Sequence, residues 1–374
     1  MQIVNIVDRI DDVNFGVRNA ALCTAQVLKE KYGVDSQVWY PKSNEKKSDD
    51  IFFTAKPVEI EYSSVEYYNQ LVNSLNINPQ DTVIVSHGCW RVPTKLAKFL
   101  ADKGFKWVYT PHGMLEPWCM KHKFLKKFLY FHAVEKRLVA SASVVRAVSS
   151  VEMQHLEAKF GNNKIKLIPN GTFKIENSDK KLFNKPYTFL FLGRLNFKKS
   201  VLELAKAWQK SDFAYEKDFL LKIVGPDDGE LSKIQQFLKT QEQKNLNVEL
   251  IGECKVGEEK VHILRNSDFF LLPSKSEGFP TSVVEAGMYG LIPVISDGCN
   301  FPELFEKKYG IKVGTSENEI LEVLNLIYRG LFDSTLQSWR QQSENLKTFF
   351  KDNYSIERIA DMQYDLYRNL LLIK

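Results

Sequence analysis

The sequence lacks several patterns, and each missing pattern excludes a class of protein. No apolar run approaches the ~20 residues that span a bilayer, so we expect no membrane-crossing helix. The first residues lack a basic stretch followed by an apolar core, so they predict a buried strand rather than a secretory signal. The five cysteines are scattered, without a CxxC pair or zinc-site spacing, which predicts reduced thiols in a cytosolic protein.

Two further absences concern cofactors. No Gly-x-Gly-x-x-Gly follows the first predicted strand, and no acidic residue stands where ribose recognition would need it, which argues against a dinucleotide oxidoreductase. Histidines and carboxylates do not cluster, and the pair Asp227-Asp228 alone does not make a metal site. We therefore expect neither a cofactor nor a metal.

Strands alternate with helices twice along the 374 residues, which predicts two α/β domains with parallel sheets. The first would comprise residues 1–171 plus 355–374, where a final amphipathic helix is predicted over 355–372. A polar stretch without periodicity, 172–186, predicts the linker, and 187–354 would form the second domain. Within the first domain the pattern predicts one helix over 17–32, an irregular segment over 41–60 and one long helix over 124–140.

The most informative stretch is 268–303, which predicts a strand, a loop, a helix and a second strand. Its loop lies where a strand's carboxyl end meets a helix N-terminus, where open α/β sheets bind anionic ligands. Glu277 and Glu285 flank that place and would repel a bare phosphate. A ligand with both a phosphate and vicinal hydroxyls, such as a sugar nucleotide, gives both carboxylates hydroxyl donors. The alternative is structural, because Ser282 and Glu285 fit a helix capping box.

This stretch resembles the donor-binding element of the GT-B retaining glycosyltransferases called family 4. The shared pattern has two glutamates separated by seven residues, and here it reads Glu277-Gly278-Phe279 and Glu285-Ala286. The resemblance implies two facing Rossmann-like domains with a deep interdomain cleft and a C-terminal helix that crosses back to the N-terminal domain. It also implies that Glu285 binds the ribose diol and Glu277 the hydroxyls of the transferred sugar.

The residues between the two glutamates would complete the phosphate site. The predicted donor site includes Gly278, Phe279, Pro280, Thr281 and Ser282. Backbone N–H groups from Phe279 to Ser282 would bind the phosphate, except at Pro280, which has none.

A glycine followed by two cations lies after another predicted strand, as Gly193-Arg194 and then Lys199. Fixed cations stabilise a diphosphate leaving group most as its charge develops, which is what catalysis requires. Alone, the pattern is more typical of a basic surface loop. Its spacing resembles the family's Gly-Arg…Lys motif, which implies that Arg194 and Lys199 hold the donor diphosphate. The family often has glycine after the lysine, where this chain has Ser200.

Other strand ends carry further candidates by resemblance. Gly225 lies in a turn near the nucleotide, and backbone groups at Glu253 and Cys254 would contact the base. Gly16 would admit the donor phosphates, although the family's usual glycine pair is reduced to one. His112, in Thr110-Pro-His-Gly-Met-Leu, resembles a cleft histidine that contacts the sugar or the acceptor, and a lone histidine is otherwise more often structural. His87, in a second His-Gly pair, would line the acceptor side.

Positive charge is concentrated in residues 95–137, which contain ten lysines and arginines but three aspartates and glutamates. Within it, residues 118–137 mix cations with aromatic residues and leucines. This composition allows an ordinary surface helix whose apolar side is core, or a helix that lies on an anionic membrane. Nucleic acid is the least supported partner, because no recognition motif accompanies the charge.

Together these features predict a glycosyltransferase that moves a sugar from a nucleoside-diphosphate donor, such as a UDP- or GDP-sugar, to an acceptor hydroxyl. The resemblance implies retention, a glycan or lipid-linked acceptor, and a part in bacterial cell-surface polysaccharide or lipopolysaccharide assembly. The enzyme would be cytoplasmic, at the inner face of the plasma membrane. A nucleotide-sugar epimerase and a non-catalytic sugar-nucleotide-binding subunit are the alternatives.

Overall fold

The computed structural model describes residues 1–10, 15–42, 54–61, 65–121, 123–173, 183–241, 245–253, 257–333 and 336–372. The chain divides into two compact units, Met1–Phe173 with Tyr354–Lys374, and Lys174–Asn353. Most of the predicted linker lies outside the described residues. Its last part, 183–186, belongs to the second unit, because Phe183 is buried there and its N–H donates to Asp268 Oδ1 at 2.8 Å.

The described part of the first unit contains one parallel sheet. Its strands are β1 (Gln2–Ile6), β2 (Asp35–Pro41), β3 (Lys56–Ile60), β4 (Thr82–His87), β5 (Lys106–Thr110), β6 (Val144–Ala147) and β7 (Ile165–Leu167). They pair in the order β3-β2-β1-β4-β5-β6-β7. The order reverses between β1 and β4, which makes that pair the topological switch point where open sheets bind ligands.

Helices connect these strands, as parallel pairing requires. They are α1 (Phe15–Leu22), α2 (Ala25–Tyr32), α3 (Val65–Ser74), α4 (Val92–Asp102), α5 (Pro117–Lys121), α6 (Phe124–Tyr130), α7 (Lys136–Val139) and α8 (Ser150–Phe160). Three predictions for this unit were wrong in detail, and each error has a tertiary cause.

The helix predicted over 17–32 is two helices, with a break at Cys23-Thr24, where the buried Thr24 hydroxyl donates to Gln363 Oε1 at 2.7 Å. The helix predicted over 124–140 is interrupted by a π-helical turn, Phe131–Glu135. That turn ends at the buried Glu135, which accepts hydrogen bonds from Thr94 Oγ1 and Tyr109 OH. Segment 41–60, predicted irregular, contains β3, an edge strand that is mostly exposed and so has little apolar signal.

The second unit repeats the design. Its strands are β8 (Tyr187–Leu192), β9 (Phe219–Val224), β10 (Val248–Ile251), β11 (Phe269–Leu272), β12 (Ile292–Ile295) and β13 (Ile311–Lys312). Over the described residues they form one parallel sheet in the order β10-β9-β8-β11-β12-β13. The reversal here falls between β8 and β11, whose buried rings Phe189 and Phe269 stack 4.5 Å apart.

The helices of this unit are α9 (Val201–Lys210), α10 (Leu231–Lys239), α11 (Glu258–Arg265), α12 (Thr281–Met288), α13 (Glu303–Glu306), α14 (Glu317–Asp333) and α15 (Leu336–Tyr354). The short elements α13 and β13 were not predicted. The last helix, α16 (Ile356–Leu372), returns to the first unit, where Ala360, Tyr367 and Leu370 join the core around Ile3 and Leu28. None of the described helices combines the length and hydropathy needed to cross a membrane.

Candidate functional site

The predicted donor residues of the second unit follow β8 and β11, the two strands at its switch point. Gly193, Arg194 and Lys199 come after β8, and Glu277 comes after β11. The two strands pair in parallel, Phe269 opposite Phe189, so their carboxyl ends meet at the same sheet edge. This is where an open α/β sheet binds its ligand.

Lys199 and Glu277 form a direct ion pair between Nζ and Oε1. Their side chains are only 17% and 12% exposed, so both charges are largely removed from water. The backbone of Glu277 is held on both sides, because its N–H donates to Gly298 O and its carbonyl accepts from Asn300 Nδ2, each at 2.7 Å. One cation and one acid from the two predicted motifs therefore meet at a rigid point.

The two loops are also joined through their main chains. Lys275 N–H donates to Lys198 O at 2.7 Å, and Ser274 Oγ lies 3.3 Å from the same oxygen. Lys198 thus contributes its carbonyl to the loop contact, whereas the next residue, Lys199, contributes its side chain. Ser200 has φ +51°, in the left-handed region that favours glycine.

Arg194 lies beside a carboxylate of the neighbouring loop, with Nη1 3.0 Å from Asp228 Oδ2. Both side chains are substantially exposed, so the guanidinium remains accessible. Gly193, after β8, and Gly225, after β9, lie against each other. A Cβ on Gly225 would be 1.9 Å from Gly193 O. Glycine is therefore required at position 225 by the backbone beside it.

Asp227 accepts hydrogen bonds from backbone N–H groups of its own turn. Its Oδ1 accepts from the N–H groups of Gly229 and Leu231 at the start of α10, and these bonds lower its pKa. Within the part of the chain that the structure describes, no three His, Cys, Asp or Glu side chains come together as a metal site.

Helix α12 begins at Thr281 with Pro280 as its N-cap, so the capping box considered for Ser282 and Glu285 does not form. Glu285 faces another helix instead, and Lys260 Nζ of α11 lies 2.7 Å from its Oε1 and Oε2. Of the backbone N–H groups predicted to bind phosphate, that of Thr281 already donates to Phe279 O at 3.0 Å. Ser282 carries the next N–H of the helix.

The remaining donor-site predictions stay predictions. Gly278 and Phe279 are half-buried in the loop, and the Phe279 ring lies 6.0 Å from that of Phe301. Gly16 is exposed near the start of α1, and a Cβ there would meet nothing within 4 Å, so the fold itself does not require glycine. Glu253 is exposed after β10, and Cys254 lies outside the described residues.

The first unit carries His112 just after β5, in an unusual backbone conformation. Its φ of +54° is costly for a side chain of this size, and such outliers concentrate at functional sites. The following N–H, of Gly113, donates to Glu152 Oε1 at 2.6 Å, and Glu152 Oε2 accepts from Val148 N–H. Burial raises the pKa of Glu152 to about 7. This buried carboxyl group holds the histidine's loop in place.

His112 Nε2 lies 2.9 Å from His87 Nδ1, and the two rings stack with centroids 5.2 Å apart. The histidines of the two predicted His-Gly pairs are therefore in direct contact. Burial lowers the pKa of both rings, with neighbouring charges adding to the effect, so both are neutral near pH 7.

Helix α6 has an apolar face directed to solvent. Phe124, Leu125, Phe128 and Leu129 are 55%, 68%, 42% and 57% exposed. The core-facing interpretation is wrong for these four residues, and the buried ring nearby is Phe131. Lysines accompany the face, and Lys121, Lys123 and Lys126 are exposed around it. We call Phe124, Leu125, Phe128 and Leu129 the α6 face.

Several residues that hold the candidate side chains were missed from the sequence. In the first unit they are Asn5, whose Oδ1 lies 3.0 Å from His87 Nε2, and Glu152; in the second they are Lys260, Gly298 and Asn300. Asn5 left a signal, because an amide inside a buried strand needs a hydrogen-bond partner. The other four act through contacts between distant segments, which no local pattern reveals.

Two models of protein families match the sequence. The sequence model of Glycosyl transferases group 1 matches residues 173–343, and that of the Glycosyl transferase 4-like domain matches 65–171, together well over half of the chain.

Individual relatives are more distant. The O-antigen biosynthesis glycosyltransferase WbnH of Escherichia coli is 26% identical over 284 residues, covering 75% of this chain and 76% of WbnH. The UDP-Gal:alpha-D-GlcNAc-diphosphoundecaprenol alpha-1,3-galactosyltransferase of Escherichia coli is 29% identical, covering 56% of each chain. The structure of Anabaena HepE in complex with UDP and glucose matches with a TM-score of 0.74 and 16% identity, over 99% of this chain and all of HepE.

Proposed function

Because this chain belongs to the group 1 glycosyl transferases and has the GT-B fold, we propose that it transfers a hexose from a nucleoside-diphosphate sugar to an acceptor hydroxyl with retention of configuration. The observation that carries the proposal is the contact between Lys199 and Glu277, which joins the cationic motif after β8 to the acidic motif after β11. A ligand with a diphosphate and a sugar hydroxyl matches that pair of charges.

Each side chain has a distinct role in this proposal. Arg194 and Lys199 bind the diphosphate and stabilise the charge that develops on it. Glu277 accepts hydrogen bonds from hydroxyls of the transferred sugar, and Glu285 accepts them from the ribose diol. In the transfer, the bond from the anomeric carbon to the phosphate oxygen breaks, the acceptor oxygen bonds to the same face, and the departing phosphate oxygen takes the acceptor's proton.

We propose that no metal ion takes part, since Arg194 and Lys199 supply positive charge at the diphosphate. Transfer should then survive exhaustive chelation at an unchanged rate. A rate that falls with chelator and returns with Mg²⁺ or Mn²⁺ would overturn this part of the proposal.

The acceptor we propose is a lipid-linked glycan in the assembly of a bacterial surface polysaccharide. Two relatives support it by their names, one acting in O-antigen biosynthesis and one on a diphosphoundecaprenol-linked sugar. The α6 face gives independent support, because four exposed apolar side chains among lysines suit a bilayer with anionic headgroups. The enzyme would then work at the cytoplasmic surface of the plasma membrane.

Vesicle binding tests the membrane contact. Burying a leucine is worth about 2 kcal/mol, so the double change Leu125→Ser and Leu129→Ser should abolish sedimentation with phosphatidylglycerol vesicles. Leu326→Ser is the matched control, because Leu326 is 64% exposed in the other unit. Equal binding by wild type and the double variant would remove the α6 face from the proposal.

A thermal-shift screen against UDP-, GDP-, ADP- and CMP-sugars identifies the donor, because a ligand that binds only the folded state raises the melting temperature. We expect a shift with one nucleoside-diphosphate sugar and, with acceptor present, release of its nucleoside diphosphate. Isomerised donor in the absence of acceptor would favour an epimerase. Donor binding that is accompanied by neither transfer nor slow donor hydrolysis would favour a non-catalytic subunit.

A further inference from the structure

Three side chains form a hydrogen-bonded row across the switch point of the first sheet. Asn5 lies in β1, His87 ends β4, and His112 follows β5. Asn5 Oδ1 lies 3.0 Å from His87 Nε2, and His87 Nδ1 lies 2.9 Å from His112 Nε2. Asn5 and His87 are buried, whereas His112 is half-exposed, so the row runs from the core toward the surface.

Asn5, at the buried end of the row, determines which atom donates in each of its hydrogen bonds. Asn5 Nδ2 faces Gln37 O at 3.5 Å, which turns the amide oxygen toward His87. An amide oxygen only accepts, so the proton of His87 lies on Nε2 and its Nδ1 is a bare acceptor. His112 must then donate from Nε2, which leaves Nδ1 of His112 as an acceptor too.

A positively charged imidazole at either histidine fits this row poorly. A proton added to His87 Nδ1 would point at the N–H of His112, so two donors would face each other. Arg146, buried and near both rings, disfavours a positive charge on either of them. The row therefore keeps two neutral rings with a shared orientation.

We propose that Asn5 and His87 are positioning residues that hold His112 in the tautomer protonated at Nε2, so that Nδ1 accepts a hydrogen bond from a sugar hydroxyl. This rests on the proposed function, and on the role that the family resemblance implies for His112, a contact with the sugar or the acceptor. A bare ring nitrogen attracts a hydroxyl proton and repels phosphate or carboxylate oxygens. His112 would therefore select a hydroxyl group and reject an anion at the same place.

The tautomers can be measured without any substrate. Long-range ¹H–¹⁵N correlation spectra of histidine-labelled protein distinguish protonated from bare ring nitrogens. We expect both His87 and His112 to be protonated at Nε2 and bare at Nδ1. Asn5→Leu removes the acceptor for His87 Nε2 and should give a mixture of His112 tautomers. A wild-type His112 protonated at Nδ1 would overturn the proposal.

Kinetics then test what the tautomer does. The amide oxygen of an asparagine can stand where a histidine has Nδ1, so His112→Asn should retain most of the transfer rate and His112→Leu should lose roughly tenfold. His87→Asn still accepts from His112 Nε2 and should exceed His87→Leu by a similar factor, at equal folded fraction by circular dichroism. Equal rates for the asparagine and leucine variants at both positions would contradict the role.

The two proposals fail separately. If the wild type turns over no donor sugar, the proposed function fails, but the spectra still decide the tautomer. If transfer occurs and His112 is bare at Nε2, the function stands and the positioning role of Asn5 and His87 is wrong.

Discussion

Replacing Lys199 with methionine separates its two tasks, the ion pair with Glu277 and the contact with a diphosphate. The pair is largely buried, so Lys199→Met leaves a carboxylate without its partner and should lower the free energy of unfolding by about 3 kcal/mol. Adding Glu277→Gln removes the uncompensated charge, so the double variant should regain most of that loss.

Binding of UDP, or of the nucleoside diphosphate selected in the thermal screen, should behave differently. A charge-assisted hydrogen bond is worth about 2 kcal/mol, so Lys199→Met should weaken binding roughly 30-fold by calorimetry. Glu277→Gln alone should not weaken it, because Glu277 is assigned to the sugar and not to the diphosphate. The double variant should therefore be stable and still bind weakly.

The result that would refute this reasoning is a double variant whose nucleotide affinity recovers together with its stability. Lys199 would then be a structural partner of Glu277 and nothing more. Lys198→Met is the matched control, since it removes the same charge one residue earlier and should change affinity less than about twofold. A large loss for Lys198→Met with none for Lys199→Met would transfer the role to Lys198.

Three other predictions follow from single contacts. Glu285→Gln should weaken nucleoside-diphosphate binding about tenfold, and a 2′,3′-dideoxy ligand should bind both forms equally; a loss that persists with that ligand contradicts the ribose contact. Gly225→Ala places Cβ against Gly193 O and should cost about 2 kcal/mol or more in chemical denaturation, whereas Gly252→Ala, with nothing within 4 Å, should cost little. The lowered pKa of His87 means that only the unfolded chain takes up its proton near pH 6.5, so stability is lost as pH falls below that value. His87→Asn should remove about 2 kcal/mol of that loss of stability at pH 5. If the free energies of unfolding of the variant and the wild type change in parallel with pH, burial does not protect the His87 ring from protonation.

The sequence predicted the donor motifs because they are local and tied to strand ends. The glycines after β8 and β9 and the glutamates after β11 were identified by their resemblance to the family's motifs. In the structure, Gly193 and Gly225 lie against each other. The alternation of strands and helices also predicted both parallel sheets.

What the sequence could not show were contacts between distant segments. Glu285 was equally compatible with a capping box until Lys260 of α11 was seen beside it. The loop of Glu277 is fixed by Gly298 and Asn300, from the turn after β12, and no pattern within the loop indicates this. The sequence left open whether the α6 face is core or exposed, because apolar periodicity does not say whether the apolar side of a helix is covered.

The central claim is that the loops after β8 and β11 bind one nucleotide sugar together. A crystal structure of the complex with UDP, or with the nucleoside diphosphate chosen by the thermal screen, tests it most directly. The account predicts phosphate oxygens about 3 Å from Arg194 and Lys199 and the ribose diol at Glu285. A nucleotide bound elsewhere, with Lys199 still paired to Glu277 and Arg194 to Asp228, would contradict it.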